Sequence, residues 1–276
     1  MARVRALLVD LSGTLHVDST ATPNAQEALQ RLRRAGIVLR FVSNTSKESR
    51  SSLLDKMNKM KLDVREEELF TSLSAVRDLV SRRSLRPLYL LSPSALADFP
   101  PSNEPFDSVV VGLAPTMFDY ANLNAAFRLL SGETDSGYKG RIPLIVTHKA
   151  RVIGDKDAKL SLGPGPFISG LEEASGCQAE IVGKPSESFY QLALDSLSSH
   201  DFAKSDIGMI GDDCLQDTGP AVHRLGLKRF LVKTGKYRPG DEDKLVAEVS
   251  EGSEQVPRPD FVCENFAEAV DQILSS

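Results

Sequence analysis

Short apolar runs that stop abruptly at polar residues recur along the chain, with stretches of helical periodicity between them. Ala6-Leu7-Leu8-Val9 is the first such run. It ends at Asp10, and Gly13 follows closely, which predicts a buried strand entering a tight loop. Beyond Pro23, the residues Ala25, Ala28, Leu29, Leu32 and Ala35 fall at helical spacing, and Gly36 stops the helix. Val38 to Val42 predicts a second strand, which runs into the polar cluster Ser43-Asn44-Thr45-Ser46. Leu53, Leu54, Met57 and Met60 then form one face of a second helix. Strands alternating with helices in this way predict a parallel sheet covered on both faces.

The middle of the chain has another texture. Leu88 to Leu91, Val109 to Val111 and Leu144 to Val146 read as strands, separated by Pro- and Ser-rich patches and a helical segment over Tyr120 to Leu130. Gly163-Pro164-Gly165-Pro166 predicts a rigid turn before a helix from Phe167 to Ala174. The last third resumes a plain α/β rhythm. Ile181-Val182 leads into Gly183-Lys184-Pro185, and a helix follows over Ser186 to Leu197. Ile207 to Ile210 ends in Gly211-Asp212-Asp213, Phe230 to Val232 ends near Thr234-Gly235, and a terminal helix covers Phe266 to Leu274. Arg238 to Pro259 is charged and punctuated by Pro and Gly, and reads as an exposed loop with a short helix. The expected class is α/β: a Rossmann-like parallel-sheet core with an inserted α/β domain.

In an open parallel sheet, ligands bind beyond the carboxyl ends of the strands. Asp10, Ser43-Asn44, Lys184 and Asp212-Asp213 therefore converge on one sheet edge. A single carboxylate at a strand end is usually a turn or cap residue. Four such clusters together suit phosphoryl transfer. Asp10 and Asp212 offer hard oxygen ligands for Mg²⁺. Lys184 is a point charge for phosphate oxygens. Ser43, Asn44 and the backbone around Gly13 offer donors to a phosphoryl group, and a carboxylate can itself take up phosphorus.

Composition narrows the field without choosing within it. The 276 residues allow one large domain or two at about 150 residues each. A hydrophobic fraction of 41% with 26% charged residues excludes a disordered chain. A formal charge of −5 argues against a nucleic-acid partner. Cys177, Cys214 and Cys263 are too few and too scattered for a disulfide scaffold, which points to a reducing compartment. No run approaches the ~20 apolar residues of a membrane span, and Ala6 to Val9 is too short for a signal-peptide core. The expectation is a cytoplasmic protein without a membrane partner.

The ordered set Asp10-x-Ser12-Gly13-Thr14-Leu15, Ser43-Asn44-Thr45, Gly183-Lys184-Pro185 and Gly211-Asp212-Asp213-x-x-x-Asp217 resembles the four motifs of the haloacid dehalogenase superfamily over nearly the whole chain. The long insert between the second and third motifs resembles the large (C2-type) α/β cap of its phosphatases. The resemblance implies a core over residues 1–72 and 180–276 and a cap over 73–179. It implies that Asp10 is the nucleophile and, with the Ser12 carbonyl and Asp212, a ligand of Mg²⁺. Asp213 and Asp217 would support those ligands. Ser43, Asn44, Thr45 and Lys184 would bind the phosphoryl oxygens of a small phosphorylated substrate. His148, Lys149 and Arg151 would come from a cap loop that meets an anionic leaving group. Related large-cap enzymes often pair through their caps, so a homodimer is a further implication.

One position departs from the usual pattern. Most phosphatases of the superfamily carry a second Asp two residues after the nucleophile, where this chain has Ser12. A serine hydroxyl is a poor proton donor at neutral pH, and general acid–base help is worth about 10²–10⁴-fold. Alkyl esters, whose alkoxides leave badly, should suffer most. The expected substrates are phosphoanhydrides, phosphoramidates or activated aryl phosphates. Two other readings fit the same residues: a catalytically impaired relative that binds phosphate, Mg²⁺ or a partner, and a phospho-acceptor switch of the receiver kind.

Overall fold

The computed structural model describes residues 3–133, 141–154, 159–243 and 256–275. The loop expected over Arg238 to Pro259 lies partly outside them. The chain divides into two compact units. The first comprises Met1–Ser43, Leu54–Phe70 and Lys184–Ser276, and the second Asn44–Leu53 and Thr71–Gly183.

The first unit is built on a sheet whose strand order is Phe261–Cys263, Lys228–Val232, Ile207–Gly211, Ala6–Val9, Val38–Ser43 and Leu69–Thr71. Ala6–Val9 pairs in parallel with Ile207–Gly211 on one side and with Val38–Ser43 on the other. It is fully buried along its length, which is why it reads as a continuous apolar run without alternation. Val9 stands level with Ile210 and with Phe41. Asp10, Asp212 and Ser43 therefore leave the sheet at the same edge. The strand order grows outward from Ala6–Val9 in both directions, the arrangement that opens a crevice at the carboxyl ends.

Helices Ala25–Arg34, Glu187–Asp195 and Phe266–Leu274 belong to this unit. Ala25–Arg34 buries Ala25, Ala28, Leu29 and Leu32, the stripe expected from spacing. Ser186 caps Glu187–Asp195 by accepting from the Phe189 N–H. A small hairpin, His16–Val17 with Thr20–Ala21, follows the loop after Asp10.

The second unit has its own parallel sheet, ordered Ala179–Ile181, Leu144–Val146, Ser108–Val111 and Pro87–Leu90. Val109, Val111, Leu144 and Val146 pack with Ala126, Leu129, Leu130, Ile168 and Leu171 from helices Tyr120–Ser131 and Gly165–Ser175. An antiparallel hairpin, Val152–Gly154 with Leu160–Leu162, completes it. The α/β class expected from the sequence is the class observed. Cys177, Cys214 and Cys263 form no disulfide among the described residues. No helix of the described residues is long and apolar enough to cross a membrane.

Candidate active site

The loop after Ala6–Val9 folds back on itself. The N–H groups of Leu15 and His16 both donate to the carbonyl of Leu11. The Gly13 N–H donates to the carbonyl of His16 at 2.7 Å, so it is already used inside the loop. Gly13 has φ +96°, a conformation that side chains oppose. A Cβ at Gly13 would lie 2.0 Å from Oδ2 of Asp212. The glycine is what lets the Asp212 carboxylate approach this loop.

Four charged groups are gathered here out of bulk water. Asp10 is 4% exposed, Lys184 3%, Asp212 2% and Asp217 1%. The Lys184 Nζ donates to Oδ1 of Asp10 and to Oδ1 of Asp217, each at 2.6 Å. The Thr14 hydroxyl donates to the other Asp10 oxygen at 3.1 Å. Asp10 is thus held at both oxygens and cannot turn freely. Ser12, next to it but one, is exposed.

Asp217 is held from a second side. Its Oδ2 accepts from the Asp213 N–H at 3.2 Å. Asp213 in turn accepts from the Leu215 and Gln216 N–H groups, which shapes the turn that carries Asp217. The fully buried Tyr190 donates its hydroxyl to the carbonyl of Gln216. Gly211 has no room for a side chain, since a Cβ would sit 2.2 Å from the Asp217 Cβ.

Burial governs the protonation of the cluster. It raises Asp212 well above the usual carboxylate range, the charge of Asp10 adds to this, and Lys236 opposes it. Burial likewise lifts Asp217 to about 7 against the pull of Lys184. On Lys184, burial disfavours the charge, but Asp10 and Asp217 outweigh it and hold the pKa above the ordinary lysine value. The Lys184 ammonium is thus shared between the Asp10 and Asp217 carboxylates.

The donor set fits a hard divalent cation. Asp10, Asp212 and Asp217 each present an oxygen, and these atoms lie within 4.8 Å of one another. All three are buried oxygens with no sulfur or imidazole among them, a set that suits Mg²⁺ and not a soft metal.

The remaining sequence-derived candidates fall in two places. Ser43 is buried at the end of its strand. Asn44 and Thr45 follow it and are half-buried. The Asn44 amide oxygen lies where a Cβ on Gly183 would meet it at 2.5 Å. In the second unit, His148 is buried, with Nε2 3.5 Å from the Ser46 hydroxyl and Nδ1 accepting from the Ala150 N–H at 3.3 Å. Lys149 is ion-paired with Glu172. Arg151 is exposed. The three residues expected to act together thus have three different environments.

Sequence reasoning overlooked Thr14, Tyr190, Thr234, Gly235 and Lys236 as site residues. The Lys236 N–H donates to Oδ2 of Asp212 at 2.6 Å, and Thr234 donates to the carbonyl of Gly13. Thr14 stood inside the motif that follows Asp10, and Thr234-Gly235 stood at the end of a strand.

The chain is similar to known proteins along nearly its whole length. The family described as haloacid dehalogenase-like hydrolase matches residues 7–99, and a second described as HAD-hydrolase-like matches 181–269. The chain is 46% identical over 273 residues to haloacid dehalogenase-like hydrolase domain-containing protein 2 of Rattus norvegicus, covering 98% of this chain and 96% of that protein. It is 32% identical over 282 residues to the phospholysine phosphohistidine inorganic pyrophosphate phosphatase of Homo sapiens, covering 99% and 96%. The p-nitrophenyl phosphatase from Archaeoglobus fulgidus superposes with a TM-score of 0.81 at 23% identity, covering 98% of this chain and 99% of that one. At that identity the likeness speaks for the fold alone.

Proposed function

The chain belongs to the haloacid dehalogenase-like hydrolases, and from that premise we propose that it is a Mg²⁺-dependent phosphatase working through a phosphoryl group carried on Asp10. The observation that carries this reading is the Asp10 carboxylate fixed by Lys184 and Thr14, beside two further buried carboxylates. Asp10 and Asp212, with the Ser12 carbonyl that the family pattern implies, would hold Mg²⁺. When bound, the ion would supply positive charge to the phosphoryl oxygens.

A carboxylate oxygen of Asp10 adds to phosphorus, and the bond to the leaving group breaks with its electron pair. Lys184 stays protonated and stabilises the charge that builds on the phosphoryl oxygens. Ser43, at the end of its strand, orients those oxygens. Water then attacks the phosphorus, which frees phosphate and returns the Asp10 carboxylate. No carboxyl group stands at residue 12 to protonate the leaving group. The substrates this favours are phosphoanhydrides, phosphoramidates and aryl phosphates, whose leaving groups need little help. A relative named for inorganic pyrophosphate supports that choice.

The test is a set of kcat/KM values with Mg²⁺ for pyrophosphate, 4-nitrophenyl phosphate and a simple alkyl phosphate. The alkyl ester should trail by at least about tenfold, a small share of the usual general-acid contribution. An alkyl ester equal to pyrophosphate would overturn the substrate assignment. Mg²⁺ binding with no turnover of any substrate would favour the impaired-relative reading that Ser12 raises.

A further inference from the structure

The segment Thr234-Gly235-Lys236 has no part in the chemistry just described, yet every residue of it touches the carboxylate cluster or the loop beside it. The Thr234 hydroxyl donates to the carbonyl of Gly13. Gly235 has φ +61°, and a Cβ there would lie 2.1 Å from Oδ2 of Asp212 and 2.4 Å from the Cα of Gly13. Three parts of the chain therefore meet at a point where only glycines fit. The next N–H, from Lys236, donates to that same Asp212 oxygen at 2.6 Å. A charge-assisted bond of this kind holds a carboxylate more firmly than a neutral one.

The Lys236 side chain adds a second effect. Its ammonium is 3.3 Å from Oδ2 of Asp213. Burial disfavours that charge, but Asp213 and Asp212 outweigh it and keep the group protonated. Once a cation has displaced the protons that burial retains on Asp212 and Asp217, four carboxylates (Asp10, Asp212, Asp213 and Asp217) face the ammonium groups of Lys184 and Lys236. Two negative charges are left over, which is what one divalent cation neutralises. Without Lys236 the deficit would be three. The site would then grip a cation harder and repel a phosphoryl dianion.

We propose that Thr234-Gly235-Lys236 is a positioning brace, in which the backbone aims the Asp212 carboxylate and the Lys236 ammonium trades cation affinity for acceptance of the phosphoryl dianion. The proposal rests on the reading of the cluster as a Mg²⁺ site of a phosphatase. None of the three residues is assigned contact with the reacting atoms. They act through Asp212, Asp213 and the Gly13 loop.

The experiment uses calorimetry and needs no turnover. Mg²⁺ is titrated into the metal-free protein, and inorganic phosphate into the Mg²⁺-saturated protein. Lys236→Met should tighten Mg²⁺ about tenfold and weaken phosphate about tenfold, the size expected for one partly screened charge. Lys236→Arg should restore both constants. Gly235→Ala should weaken Mg²⁺ at least tenfold, because it displaces the Asp212 oxygen. Thermal unfolding of each variant reports whether the fold persists. Unchanged constants in Lys236→Met, or both constants weakened together as general damage would produce, overturn the proposal. Wild-type protein that binds no Mg²⁺ overturns the metal reading itself, and the brace with it. Those failures are distinct.

Discussion

The Lys184 ammonium lies 2.6 Å from the Asp10 carboxylate, although 174 residues separate them in the chain. The same nitrogen is 2.6 Å from Asp217. A single buried cation thus holds together acids from two loops of the sheet edge. Breaking a buried pair leaves an uncompensated charge and costs about 3–5 kcal/mol.

Lys184→Met should therefore lose stability as well as activity. The loss should be larger at pH 8 than at pH 5.5, because protonation relieves the stranded carboxylates at the lower pH. Chemical denaturation at the two pH values checks this. Equal losses would mean that the cluster is not held by charge.

The metal-free protein should become less stable as pH rises from about 4 to 7. Asp217 titrates near 3.8 when exposed and is lifted to about 7 in the fold by burial. Between those values the folded state binds more protons than the unfolded chain, so stability falls with rising pH. Mg²⁺ held by Asp10 and Asp212 would compete with a proton on the raised Asp212 and, through its charge, with the one on Asp217. The rise in Tm caused by a fixed Mg²⁺ concentration should accordingly be greater at pH 8 than at pH 6. A rise independent of pH would contradict the raised acids.

Gly13→Ala should disable the site by displacement. The new Cβ would stand 2.0 Å from Asp212 Oδ2 at a backbone angle that alanine resists. Strain of this sort costs about 1–3 kcal/mol. The expected result is a folded protein whose turnover falls at least a hundredfold. Near-normal kinetics would show that the close approach of Gly13 and Asp212 is dispensable.

Ser12→Asp should widen the substrate range. Ser12 is exposed next to the Asp10 turn, so a carboxyl group fits there without burial. A general acid at this position should raise kcat/KM for an alkyl phosphate by about 10²-fold or more, with a smaller gain for pyrophosphate. Equal gains for both would remove the leaving-group argument.

The site was legible in the sequence where a buried strand ends. Ala6–Val9 and Ile207–Gly211 are apolar throughout, so Asp10 and Asp212 stand out as the residues that break them. Lys184 was marked only by its neighbours Gly183 and Pro185. The strand before it, Ala179–Ile181, is half-buried and belongs to the four-stranded sheet, not to the sheet that ends at Asp10 and Asp212 as the sequence suggests. Contacts made across long separations left no such mark. Lys149 looked like a free charge because Glu172, its partner, lies 23 residues away. Lys236 is 24 residues from the Asp212 it supports. The helix Ser72–Arg82 went unseen because its N-cap, Thr71, is also the last residue of the strand Leu69–Thr71. Strand and helix join without a turn residue to separate them. The strand Phe261–Cys263 is only three residues long, too short for a period to show.

The central claim is that Asp10 carries the phosphoryl group. Phosphate release from pyrophosphate and 4-nitrophenyl phosphate in the presence of Mg²⁺, compared between wild-type protein and Asp10→Asn, tests it most directly. The account predicts turnover by the wild type and none above background by the variant, with Tm little changed. Sustained turnover by Asp10→Asn would contradict it.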